Sequence, residues 1–131
     1  MKRQKYFEVI RHRDADGNIS YFLDEQRAEI IQMPSGYRYA LRFMKERKAW
    51  TAVDLITGLI IQTRKTNPDM QLWMVENEQR VRDALENLFY SGKDQKIVKQ
   101  HELIVAELSK DDETDIAPEI KAYIISKGFR Q

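Results

Sequence analysis

Up to about Thr66 the apolar residues recur at every second position or gather in short aromatic and β-branched runs, the spacing of strands; beyond it they recur every third and fourth, the spacing of helices. KYFEVIRHR and ISYFL flank DADGN, where Gly17 can take the positive φ of a tight reversal. AEIIQM and YRYALRF flank MPSG, and the latter run reaches WTAVDL through KERK. The last pair closes through Ile56, Thr57 and Gly58, with Asp54 placed to accept from turn amides and Gly58 suited to the left-handed position of a bulge. The pattern predicts an antiparallel meander of five to six strands over residues 6–66.

In the second half, Asn67, Pro68 and Asp69 form a helix start signal, with a short strand over Gln71 to Val75 as the alternative. Val81, Leu85, Leu88 and Phe89 make one apolar stripe, stopped at Ser91 and Gly92. Ile97, His101, Ile104, Val105 and Leu108 make a second, ended by the acidic loop KDDETD. Ile116, Ile120, Tyr123 and Ile124 make a third, opened by Pro118 and closed by Gly128. Sheet first and helices second predicts a single α+β domain over residues 1–131, with about three C-terminal helices packed on one face of the sheet. The expected core is Leu41, Phe43, Val53, Leu55, Ile61, Leu85, Leu88, Val105 and Ile124.

Alternation along strands assigns faces to the last hairpin. Pairing Leu55 with Leu59 sets Val53 against Ile61 and Thr51 against Thr63 on the core side. The other side then carries Trp50 across from Arg64, Ala52 across from Gln62, and Asp54 across from Ile60. With Tyr39, Leu41 and Phe43 turned to the core, Arg38, Arg42 and Met44 join this outer face, which thus offers Trp50, Met44 and Ile60 ringed by Arg38, Arg42, Arg64 and Lys48. Two accounts fit. Trp50 and Arg64 are a cross-strand ring and cation pair that supports the sheet, or the Trp, Met and Arg set is a partner-binding centre, where those residue types are enriched.

Charge adds asymmetry to this picture. The 131-residue chain has a formal net charge of +1, but residues 1–66 hold 13 Lys and Arg against 8 Asp and Glu, a balance of +5. Residues 67–131 hold 9 against 13, a balance of −4. A basic first half leaves nucleic acid as an alternative partner for the outer face, with rings stacking bases and arginines holding phosphates. Cysteine is absent, which excludes disulfides and thiolate chemistry. The basic start MKRQKYFEVIRHRD lacks the apolar core of a secretory signal, and no run approaches the ~18 apolar residues of a membrane span. The expectation is a cytoplasmic protein away from the membrane.

The catalytic inventory is short. Of the two histidines, His12 reads as a surface strand residue and His101 as a partly buried helical one. No HExxH, GxSxG or phosphate-cradling glycine loop occurs. Asp14, Asp16, Asn18, Ser20 and Glu25 fall at calcium-loop spacings, but the glycine stands at position 4 instead of 6 and the flanks read as strands. Pro68, Asp69, Glu119 and Lys121 echo the order of a metal-dependent nuclease core, with Glu119 and Lys121 on a helix where that chemistry wants a strand. No cofactor, metal or catalytic residue is assigned. Trp50, Asp54, Thr57 and Gly58 resemble a hairpin of small accessory proteins of phages and mobile elements, over fewer than twenty residues, a match that implies no activity.

The expected function is therefore a non-catalytic binding or regulatory module that takes a protein partner through the outer sheet face, with Trp50 as anchor and Arg42 and Arg64 as directional contacts. Met44, Ile60 and Arg38 complete that site, and the same face offers a homodimer contact. A nucleic-acid binder on the basic face is the first alternative. An enzyme with an unrecognised acidic site is the second.

Overall fold

The computed structural model describes residues 3–91, 95–110 and 116–127. It shows an α+β architecture: strands β1 (Gln4–Arg13), β2 (Ile19–Gln32), β3 (Arg38–Met44), β4 (Ala49–Asp54) and β5 (Ile60–Arg64), then helices α1 (Asn67–Tyr90), α2 (Gln95–Ser109) and α3 (Pro118–Ile125). The sheet runs β1-β2-β3-β4-β5, each strand antiparallel to its sequence neighbour, and the helices pack against it. ISYFL and AEIIQM, read from the pattern as separate segments, are joined in one strand of 14 residues that ends at Gln32. The intervening DEQR is polar but contains neither glycine nor proline, so nothing in the backbone interrupts β2.

That long strand changes partner along its length. From Ile19 to Ala28 it pairs with β1, and from Glu29 to Gln32 it pairs with β3 through Glu29↔Leu41 and Gln32↔Arg38. Arg42, Phe43 and Met44 therefore continue β3 past its last pairing with β2, with β4 as their strand partner among the described residues. The β1–β2 hairpin and the β3–β4 end are the two prongs of a fork. Each reversal has local chemistry behind it. The Asp14 carboxylate accepts from the amides of Asp16 and Asn18, both at 2.9 Å, ahead of Gly17 at φ 83°. Asp54 accepts from the amide and hydroxyl of Thr57 at 2.9 and 2.8 Å.

The helix α1 begins one residue earlier than Asn67 as a cap would give: Thr66 is extended, its hydroxyl accepts from the Asp69 amide at 3.2 Å, and Pro68 lies inside the first turn. Gln71 to Val75 belongs to this helix, which buries Met70, Met74, Val81, Leu85 and Phe89. The stops expected at Gly92 and Gly128 and the acidic loop at 111–115 lie outside the described residues.

One apolar cluster joins Tyr6, Tyr39, Leu41, Val53, Leu55 and Ile56 of the sheet to Met70, Met74, Ile104, Ile120 and Ile124 of the helices. Of the expected core, Leu41, Val53, Leu55, Leu85 and Ile124 are buried, while Ile61 and Val105 are half-buried. Phe43 and Leu88 are corrections, at 45% and 39% exposed. Phe43 stands where β3 has left β2, so no β2 residue is paired beside it as Glu29 and Ile31 are beside Leu41 and Tyr39. Leu88 precedes Phe89, and Phe89 takes the buried place at that turn, with its ring edge-on to His101 at 5.2 Å.

Candidate functional site

The β4–β5 register places Trp50 opposite Arg64, Thr51 opposite Thr63 and Ala52 opposite Gln62. The β3–β4 register departs from expectation by one residue: Phe43 faces Trp50, and Met44 faces Ala49. Opposed residues of an antiparallel pair project to the same side. Trp50 accordingly shares its face with Phe43, Leu41 and Tyr39, and the expected outer face of Trp50, Arg42, Met44 and Arg38 does not exist as one surface. The cause is the KERK connection, which uses four residues, with Lys48 in the left-handed region at φ 48° and its amide bonded to the Lys45 carbonyl at 3.2 Å. Trp50 beside Met44 would need a fifth residue in that loop. Ile60 is also reassigned. A bulge at Ala52/Val53 leaves Ile61 unmatched and sets Ile60 opposite Val53, away from Trp50.

The six predicted binding residues are thus divided, with Trp50 and Arg64 on one side of the sheet and Arg38, Arg42, Met44 and Ile60 on the other. The arginines also have intramolecular roles. Arg64 pairs with Asp69 at 3.0 Å, and the Arg38 guanidinium lies 5.7 Å from the Tyr123 ring centre. Arg42 crosses the fork to β1, donating from Nε to Glu8 Oε1 at 2.6 Å and to the Tyr6 hydroxyl at 3.0 Å, and from Nη2 to Glu8 Oε2 at 2.9 Å. Tyr6 in turn donates to Glu8. Burial, reinforced by the Glu8 carboxylate, pushes the Tyr6 hydroxyl far above its ordinary range, and the hydrogen bond to Glu8 raises Arg42 further. This triad ties the two prongs together.

Beside it, in the opening of the fork, lies a cleft of about 460 Å³. Its rings are Trp50, half-buried, and Phe43, edge-on to it with centroids 5.8 Å apart. Its cations are Arg3, Arg27 and Lys45, all exposed, and the partly buried Arg42; Glu29 contributes a carboxylate and Asn67 of α1 a further wall. A second depression of about 450 Å³ shares Arg3, Gln26 and Arg27 and adds Lys5, which is paired with Glu25 at 3.0 Å. The means available here are positive charge, ring surface and strand backbone. Arg3, Arg27, Lys45 and Phe43 escaped the sequence reading because they become neighbours only through the change of partner in β2. The four-residue length of KERK was the readable signal that Trp50 and Phe43 pair.

Elsewhere the candidate chemistry is placed as structure. His12 is exposed and tilted against Phe22 at 6.3 Å. His101 is 4% exposed, and its Nδ1 lies 3.0 Å from the Ile56 carbonyl, which can only accept, so Nδ1 carries the proton. Asp69 pairs with Arg64 beside the Phe43 end of β3, whereas Glu119 lies beside Arg38 at its other end, so the nuclease-like order does not assemble into a site. Among the described residues no group of three or more His, Asp or Glu is arranged to hold a metal ion, and no helix is long and apolar enough to cross a membrane.

Burial lowers the His101 pKa below its ordinary 6.5, against the opposing pull of the Ile56 carbonyl and with the help of nearby Lys127. A depressed histidine leaves the unfolded chain holding the extra proton, so its contribution to stability is present above pH 6.5 and is lost as pH falls toward the folded value. Urea titrations across that window should show the parent losing stability relative to His101→Gln. Parallel pH profiles would contradict the buried neutral imidazole.

No protein-family model, curated protein or solved structure matches the chain.

Proposed function

We propose that the protein is a non-catalytic binding module that holds a protein partner in the fork cleft, with Trp50 as the anchor. The observation that carries this reading is the half-buried Trp50, set edge-on to an exposed Phe43 and surrounded by exposed Arg3, Arg27 and Lys45. An aromatic centre inside a cationic rim has the composition of an interface hot spot. The site differs from the one expected from the pattern: Trp50 is retained, Phe43 replaces Met44 and Ile60 beside it, and Arg3, Arg27 and Lys45 replace Arg38 and Arg64 as the outward cations.

Trp50→Ala is expected to cost about 2 kcal/mol or more of partner binding, while removing the ring pair should cost about 0.5–1.5 kcal/mol of stability beyond lost area. Affinity capture with the immobilised protein, nuclease-treated and untreated, followed by calorimetry on the recovered partner, checks it. Equal binding by parent and variant would refute the assignment of the cleft. Capture that depends on nucleic acid and weakens steeply with salt would replace the protein partner by a nucleic acid.

A further inference from the structure

We infer that a groove between the C-terminal ends of α1 and α3 and one side of α2 is a site for a small, neutral, hydroxylated aromatic molecule that donates one hydrogen bond to His101 Nε2. The groove has a volume of about 630 Å³ and shares no lining residue with the fork cleft, so it is a second site. Its walls are Phe89 and Tyr90 at the end of α1, Val98, His101 and Val105 on α2, and Ile125 at the end of α3. On α2, Val98, His101, Glu102, Val105 and Ala106 recur at the spacing of one helical face. That face adjoins the one α2 buries through Ile97, Ile104 and Leu108. Apolar walls around a space of this volume are the usual form of a small-molecule site.

The recognition element is the imidazole on the border between those two faces. Its Nδ1 donates to the Ile56 carbonyl at 3.0 Å, which fixes the tautomer and leaves the lone pair on Nε2. Nε2 accepts from none of the described residues. Among those residues, the buried side-chain atoms that lack a partner and are sealed from solvent are Gln4 Oε1, Thr51 Oγ1 and Gln100 Oε1. His101 Nε2 is therefore not sealed, and it meets solvent where the ring lines the groove. Burial, which lowers the pKa of the ring, favours its neutral form. His101 is only 4% exposed, so its acceptor is recessed, and a group that filled the groove without donating to it would strand that acceptor.

The surroundings define the rest of the ligand. Phe89 stands edge-on to the imidazole, ring centroids 5.2 Å apart at 84°, and Tyr90 adds a second aromatic wall, which suits a planar ring better than an alkyl chain. Lys127 and Glu102 both line the groove and are exposed, with the Lys127 ammonium 5.1 Å from the centre of the Phe89 ring. Their opposite charges give a charged ligand no net attraction, and an anion would also face the Nε2 lone pair. Tyr90 is exposed as well, so the polar group recessed among the apolar walls is the His101 acceptor. Its complement is a single donor, which a ring hydroxyl supplies.

The test titrates the full chain, isotope-labelled, with 2-naphthol and with two ligands of nearly the same shape that lack the donor, 2-methylnaphthalene and 2-methoxynaphthalene. 2-Naphthol should bind about tenfold or more tightly than either. A groove without the acceptor would instead favour the methyl compound, which is the more hydrophobic. Binding should move the His101 Nε2 resonance together with the amides of Val98, Val105 and Ile125, and leave the Trp50 indole in place. Ala106→Trp, at an exposed position on the groove wall, should abolish binding while the helix stays folded. His101→Phe should make the three ligands bind alike; if that variant does not fold, the Nε2 shift in the parent reads the same contact. The inference is overturned if 2-naphthol does not bind, if 2-methylnaphthalene binds as well, if Nε2 does not move, or if binding survives Ala106→Trp. Tighter binding of an acetylated and amidated Gly-Tyr-Gly peptide than of 2-naphthol would also overturn it, and would make the groove the receptor for a protein's tyrosine.

Discussion

Glu8→Ala should be among the most damaging single substitutions in the protein, at a cost of about 3–5 kcal/mol. The Glu8 and Arg42 side chains are 6% and 16% exposed, and the carboxylate accepts from both guanidinium nitrogens and from Tyr6. Removing it strands a guanidinium that is short of water and leaves the Tyr6 hydroxyl without its acceptor. Pairing Glu8→Leu with Arg42→Met removes both charges at once, and it should recover most of the loss, since an apolar replacement of a whole buried pair is far less costly than an orphaned charge. Denaturant unfolding of the two variants decides the matter. A Glu8→Ala protein that unfolds at the parental midpoint would mean that the fork is not held by this pair.

Gly58→Ala should rank beside it, for a different reason. Gly58 has φ 74°, and its carbonyl accepts from the Val9 amide at 3.0 Å, so β1 lies directly against the β4–β5 turn. A Cβ placed there would stand 2.8 Å from Val9 Cγ2, 3.1 Å from the Val9 nitrogen and 3.3 Å from the Phe7 carbonyl. The left-handed backbone alone costs an L-residue about 1–2 kcal/mol. Crowding against backbone that cannot rotate away should add about 1–3 kcal/mol. Gly17→Ala separates the two contributions, because Gly17 has φ 83° with nothing within 4 Å of its Cβ position. Thermal melting should show the Gly17 variant losing the conformational part alone. Equal losses at the two glycines would contradict the packing of β1 on the turn.

The fold class was legible because the change of period at Thr66 is a local property, and so were Gly17, Gly58 and the Asp54 turn, each determined by a few consecutive residues. The pairing of Trp50 with Arg64 was legible for the same reason, since one tight turn separates them. The remainder of the expected site depended on counting residues through KERK, where a single left-handed Lys48 moves every β3 side chain to the other face relative to β4. The bulge that reassigned Ile60 is likewise a one-residue event. The cleft itself was beyond periodicity. It arises because β2 is continuous and passes from β1 to β3 at Ala28 and Glu29, a choice set by tertiary packing that leaves no mark in the alternation of ISYFLDEQRAEIIQ.

The strand order of the sheet, in which every neighbour in space is also the neighbour in sequence, bears on how the chain finds this structure. Each ladder closes a short loop, and loop closure is the main entropic obstacle to pairing strands, so the meander can be assembled from local steps. The long closures are of another kind: the Tyr123 hydroxyl meeting the Arg38 backbone, the His101 ring meeting the Ile56 carbonyl, and the Val9 amide meeting Gly58. These contacts join a sheet whose ladders already exist to helices and a first strand that arrive from far along the chain, and they make separate local pieces into one cooperative unit.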